Sequence, residues 1–271
     1  MQERLVGDPI LSLESVGKRY DAVEALSGVT FSVPAGQTLA ICGDNGAGKS
    51  TLIRIISGAQ PPSTGTIRLR NEPVTFVSPA DALTRGVATI YQDLALAPRL
   101  SIYQNVFLGA ELLKSTWVPG LKVLDKKAMK AEARRLLERL RISVPDMERP
   151  VQALSGGQRQ AVAIARALRW NAEIVIMDEP TAALGVKETR QVLDLIHEIH
   201  DQGITVILIS HNMRDVIEVA ERALIIRSGR VVNDIALSGW TADQLSHEIM
   251  ERDSEPASRR APSTAVNAAV K

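Results

Sequence analysis

With 271 residues, 45% of them hydrophobic, the chain is long enough for one large α/β domain with a sizeable core. Its 32 Lys and Arg stand against 31 Asp and Glu, a formal net charge of +1, so no strongly basic face is implied and no nucleic acid is expected as a partner. A single cysteine, Cys42, excludes an internal disulfide and fits a cytosolic compartment, while no standard signal segment and no run of about 18 apolar residues reads as a membrane span.

The first β-type runs are Ile10–Val16, Val29–Val33 and Thr38–Cys42, separated by polar or glycine-containing turns. They predict a small antiparallel sheet leading into a strand that ends at Gly43. A helix begins near Lys49 and continues through the amphipathic run Leu52–Ser57 until Gly58, Pro61 and Pro62 stop it. Thr66–Arg70 and Val74–Val77 read as a hairpin, Ser78-Pro79 caps a short helix ending near Gly86, and Val87–Tyr91 is a further strand. From Leu94 to about Ala153 the pattern is helical. Asp125 caps a helix running to about Arg141, with Met129, Ala133, Leu136, Leu137 and Leu140 on one apolar face. Ser155 caps another running to about Arg169. These helices predict a subdomain at about 94–170, inserted into an α/β core. That core resumes with the strand Ile174–Met177, a helix from about Val186 to His200, and the strands Ile204–Ile209 and Leu224–Ile226. Alternating strands and helices imply a mainly parallel, helix-covered sheet. The stretch 254–271, rich in Ser, Ala, Pro and Arg, reads as a disordered tail beyond a folded domain at 1–253.

The chemistry concentrates in three places. The run Gly43–Thr51, GDNGAGKST, places Gly43, Gly48, Lys49 and Ser50 at the spacing of a phosphate-binding loop, with Asn45, Gly46 and Thr51 as further nucleotide contacts. Glycines let backbone amides approach phosphate oxygens, and the helix that follows directs the positive end of its dipole at them. Lys49 reaches the β and γ phosphates, and the Ser50 hydroxyl is a ligand for Mg²⁺. Second, the apolar strand Ile174–Met177 ends in Asp178 and Glu179, placing two carboxylates at the edge where parallel sheets bind nucleotides. Asp178 is the candidate Mg²⁺ contact and Glu179 the candidate for activating water. Alone, the two acids also fit a solvated loop start. Third, in Leu154–Gln158, LSGGQ, Ser155 caps a helix whose amides Gly156 and Gly157 leave open to an anion.

In this order, the motifs resemble those of ATP-binding cassette proteins, specifically the ATPase subunits of ABC transporters, over roughly residues 10–250. The resemblance implies a P-loop NTPase core with an N-terminal antiparallel β subdomain and an inserted helical subdomain. It implies that Tyr20 stacks on adenine, that Gln92 senses the γ phosphate and Mg²⁺ and couples to the membrane partner, and that His211 contacts the γ phosphate. It also implies that Ser155, Gly156, Gly157 and Gln158 bind ATP held by the opposite protomer, so that two cassettes, as a homodimer or a mixed pair, enclose two nucleotides. Gly185 departs from the pattern, because many members carry aspartate there, and the coupling between the two sites is thereby open.

Segments around 86–109 and 210–230 are similar to the simple-sugar importers of fructose, ribose or xylose type. The function implied is ATP hydrolysis that energises monosaccharide uptake through a separate integral membrane permease. An extracytoplasmic sugar-binding protein would deliver the ligand, and the chain would sit at the cytoplasmic face of the inner membrane. The alternatives are an ABC exporter subunit or a soluble ABC ATPase acting on nucleic acid or ribosomes.

Overall fold

The computed structural model describes residues 8–115, 120–144 and 146–250; the tail expected at 254–271 lies outside them. Three strands open the chain: β1 (Pro9–Tyr20), β2 (Val23–Pro34) and β3 (Thr38–Cys42). Helix α1 (Lys49–Ile56), the hairpin β4 (Thr64–Leu69) and β5 (Glu72–Val74), helix α2 (Pro79–Thr84) and strand β6 (Val87–Ile90) follow. The next stretch carries α3 (Ile102–Phe107), β7 (Leu113–Ser115), β8 (Lys122–Leu124), α4 (Lys126–Arg139) and α5 (Gly156–Arg169). The chain then alternates through β9 (Ile174–Asp178), α6 (Val186–Asp201), β10 (Thr205–Ile209) and α7 (Met213–Val219). It closes with β11 (Arg222–Arg227), β12 (Arg230–Ala236) and α8 (Ala242–Met250).

The strands form a six-stranded sheet in the order β12-β11-β3-β10-β9-β6, parallel except for β12, and an antiparallel four-stranded sheet β2-β1-β4-β5. Strands of the parallel sheet are apolar on both faces because both are covered. Successive side chains alternate between two cores. Leu39, Ile41, Ile174, Ile176, Ile207 and Ile209 join α1 and the antiparallel sheet. Ala40, Cys42, Val175, Met177, Val206 and Leu208 join the helices of the other face.

Caps read from the sequence are in place. Ser78 Oγ accepts the Asp81 N–H, Asp125 Oδ1 accepts that of Ala128, and Ser155 with Gln158 forms a reciprocal capping box. Four readings need correction. The first two strands are longer than expected and form one hairpin through Tyr20 and Val23. The run 74–77 is not a strand beyond Val74, because the Val77 N–H bonds Asp81 Oδ2 at the start of α2 instead of a ladder partner. The stretch 94–153 is not wholly helical, since the β7–β8 hairpin interrupts it; among the described residues each arm has three residues, too few to show a period. Finally, β12, α7 and α8 were not anticipated.

Phe107, on α3, is buried in the core shared with α5 and has the Arg169 guanidinium 5.2 Å from its ring. Phe107→Ala should lower unfolding free energy by about 3–5 kcal/mol, read from urea denaturation.

Candidate functional site

The strand register brings the site together. Ile209 of β10 pairs with both Ile41 of β3 and Asp178 of β9, and Met177 of β9 pairs with Ile90 of β6. The C-terminal ends of four adjacent parallel strands are therefore level, and the residues just beyond them share one edge. Those residues are the phosphate loop after β3, His211 after β10, Glu179 after β9 and Gln92 after β6.

The loop is held by backbone geometry. Gly43 has φ +148°, and a Cβ there would lie 2.1 Å from the Ile226 carbonyl oxygen, so only hydrogen fits. Gly48 caps α1 at φ +109°, with no room for a side chain against Leu26 and the Ala25 carbonyl. The Gly229 N–H bonds the Ala47 carbonyl at 2.8 Å, and the Ser27 N–H bonds that of Gly229 at 2.9 Å, tying the loop to the β11–β12 turn and to β2. Lys49 is 7% exposed, and its ammonium donates to the carbonyls of Gly43, at 2.7 Å, and Asp44, at 2.9 Å.

Around this loop lies a cleft of about 500 Å³. Asn45, Gly46 and Gly48–Thr51 line its floor, and Gln92, Asp178, Glu179 and His211 line one wall. Val23–Ala25 of β2, Ile209, Ser228 and Gly229 complete the wall. Sequence reasoning missed these wall residues. Ser228-Gly229 between apolar runs is a two-residue hairpin signal that, once weighed, points to both the turn and β12.

Charges in the cleft are mutually adjusted. Burial lowers the Lys49 pKa against the opposing pull of Glu179, Cys42, Asp44 and Asp178. Burial raises Asp178, opposed by Lys49, His211 and Arg54. It also raises Glu179, opposed by the charge and backbone N–H of His211. His211 Nε2 is 3.1 Å from Glu179 Oε1 but out of hydrogen-bond alignment, so that buried oxygen has no hydrogen-bond partner. An unpartnered buried carboxylate oxygen is costly, and it lies beside the cleft that Glu179 lines. The Cys42 thiol, pushed up to about 12 by burial, behaves as a small apolar side chain.

The cleft does not gather every candidate. The Gly43 carbonyl holds Lys49 from behind the loop. Tyr20, at the end of β1, donates its hydroxyl to Gln60 and carries the Lys18 ammonium 5.4 Å from its ring. Ser155, Gly156, Gly157 and Gln158 lie at the start of α5, against Leu184 and Gln191. Gly185 caps α6 at φ −71°, a conformation open to any residue, and a Cβ there would meet only Glu188 Oε2, the far end of a flexible side chain, so neither backbone nor space requires glycine. A second hollow of about 350 Å³ lies beside Tyr91, between α2, β6 and α5, lined also by Leu83, Leu108, Ala163, Trp170 and Thr89, whose buried hydroxyl has no partner.

Fold and cleft together define a P-loop nucleotide-binding ATPase of cassette type. Residues 26–182 match the family model of the ABC transporter, and the chain belongs to that family. It is 48% identical over 229 residues to the fructose import ATP-binding protein FrcA of Rhizobium meliloti, covering 82% of this chain and 86% of the relative. It is 45% identical over 223 residues to the xylose/arabinose import ATP-binding protein XylG of Sulfolobus acidocaldarius, with the same coverage. Among solved structures, the ADP conformation of the cassette MJ1267 superposes with a TM-score of 0.74 at 26% identity, over 89% of this chain and 94% of that one. The dimeric post-hydrolysis cassette MJ0796, bound to ADP and Pi, does so with a TM-score of 0.69 at 26% identity, over 85% and 100%.

Because the folded state raises the Glu179 pKa, it binds that proton more tightly than the unfolded chain does. The group's contribution favours folding below the ordinary carboxylate range and is lost as pH rises through the folded value. Glu179→Gln should therefore raise the melting temperature of nucleotide-free protein at about pH 8 and leave it unchanged at about pH 4, measured by calorimetry.

Proposed function

We propose that the chain is the ATP-hydrolysing subunit of a monosaccharide importer, working at the cytoplasmic face of the inner membrane on a separate permease. The observation that carries this reading is the convergence of the phosphate loop, Gln92, the Asp178-Glu179 pair and His211 in one cleft. Similarity to two sugar import ATP-binding proteins over most of their length supports the sugar assignment. Among the described residues no helix is long and apolar enough to cross a membrane, so passage of the sugar is assigned to the permease. An extracytoplasmic binding protein supplies the sugar. The cassette domain is assigned to residues 1–253, with an inserted, mainly helical subdomain at about 94–170.

In this reading Lys49 and the amides at Gly46–Thr51 hold the β and γ phosphates, and Tyr20 stacks on adenine at the margin of the cleft. Ser50, Gln92 and Asp178 offer hydroxyl, amide and carboxylate oxygens, a donor set suited to a hard cation. Among the described residues no cluster of three or more His, Cys, Asp or Glu could hold a metal ion alone, which fits Mg²⁺ shared with phosphate. When bound, Mg²⁺ supplies charge neutralisation on the phosphate oxygens. Glu179 orients and deprotonates water, and His211 reaches the γ phosphate. Ser155–Gln158 are absent from the cleft, so a second cassette supplies them, and the working unit is a head-to-tail pair.

Two variants test this reading. Glu179→Gln should retain ATP affinity while slowing hydrolysis about a hundredfold or more, measured by phosphate release. The hollow beside Gln92 is the seat assigned to a cytoplasmic segment of the permease. Leu108, 45% exposed there, offers a probe: Leu108→Glu should abolish co-purification with the permease from solubilised membranes and leave ATP turnover by the isolated chain within about twofold.

A further inference from the structure

We propose that Asp215 is a positioning residue for hydrolysis, a buried carboxylate that clamps the loop carrying Glu179 to the loop carrying His211. The inference rests on the ATPase reading and goes beyond its catalytic groups.

Asp215, in the first turn of α7, is 5% exposed. A carboxylate so buried needs partners for both oxygens. The two it has come from different segments. Oδ2 accepts the Thr181 hydroxyl at 2.7 Å, from the loop that follows Glu179. Oδ1 accepts the Asn212 side-chain amide at 2.9 Å, from the residue that follows His211. Asn212 is fixed in turn, because its Oδ1 accepts the Arg214 N–H at 3.1 Å and its own N–H bonds Ser210 Oγ at 3.0 Å. One side chain thus ties Thr181, two residues beyond Glu179, to Asn212, one residue beyond His211.

The loop at 179–184 needs such a tie. Glu179 and Ala183 are non-glycine residues at φ +51° and +59°, a left-handed conformation that persists only where surrounding contacts determine it. The Glu179 N–H is anchored to the Ile209 carbonyl at 2.9 Å, but the Ala182 and Leu184 amides bond only back within the loop. The His211 backbone N–H bears on the Glu179 carboxylate, but His211 Nε2 and Glu179 Oε1 lie 3.1 Å apart without hydrogen-bond alignment, so contact between the two fixes the ring and carboxylate only in part. The positions of the two loops fix the rest, and Asp215 is bonded to both.

A capping role for Asp215 alone predicts only a loss of stability, whereas a clamp predicts a selective loss of turnover. The test compares Thr181→Val, Thr181→Ser and Asp215→Asn in the full chain, by steady-state ATP hydrolysis and by hydrogen exchange of nucleotide-free protein. Thr181→Val should lower kcat about tenfold with KM for ATP unchanged, and Thr181→Ser, which keeps the hydroxyl, should restore kcat to within about twofold. Asp215→Asn should show the same split between kcat and KM, and the double variant Thr181→Val/Asp215→Asn should fall no further than either single one. Amide exchange in Thr181→Val should rise both at 179–184 and at 211–215. The clamp is overturned if Thr181→Val keeps wild-type kcat, if Thr181→Ser falls as far as Thr181→Val, or if exchange rises in the first loop alone. Absence of turnover in the unaltered chain would instead contradict the ATPase reading, and the exchange measurement would then decide the clamp by itself.

Discussion

The buried ammonium of Lys49 organises the cleft. A cation this withdrawn from water is costly unless its donors are used, and the fold supplies two loop carbonyls and, further off, the carboxylates of Asp178 and Glu179. The compensation is incomplete, as the shifts show: burial lowers Lys49 and raises both acids. An anion beside Lys49 would relieve the first shift, and a cation beside the two acids would relieve the others. The same demand fixes the sequence around it. Gly43 leaves no room for a Cβ beneath Ile226, and Gly48 leaves none beneath Ala25.

Much of this was legible in the sequence, for physical reasons that differ by residue. The parallel strands were visible because apolar cores on both faces leave nearly every residue of β3, β9 and β10 hydrophobic. The phosphate loop was visible because its chemistry leaves few residue choices. The β7–β8 hairpin was not, since its arms expose their residues and carry no core pattern. Neither was the wall formed by Val23–Ala25 with Ser228 and Gly229. That wall follows from the Ser27–Gly229 backbone bond, which joins residues about two hundred positions apart and leaves no local trace. The Val77 amide shows the same limit on a smaller scale, because a capping acceptor four residues ahead outcompetes the ladder that its β-branched neighbours suggest.

The two helix starts proposed to hold phosphate have different surroundings. The start of α1 opens into the cleft with Lys49, while that of α5, capped by Ser155 and Gln158, lies against Leu184 and Gln191. Within one chain neither completes the other. The loop from Glu179 to Gly185 runs between these regions, bonded to Asp215 through Thr181 and ending at α6.

The most direct test of a site completed by a second cassette is sedimentation velocity of Glu179→Gln, with and without MgATP, beside the double variant Glu179→Gln/Ser155→Arg. The account predicts a monomer without nucleotide, a dimer with MgATP, and a double variant that binds ATP yet stays monomeric. Equal ATP-driven dimerisation of both proteins, or none in Glu179→Gln despite saturating ATP, would contradict it.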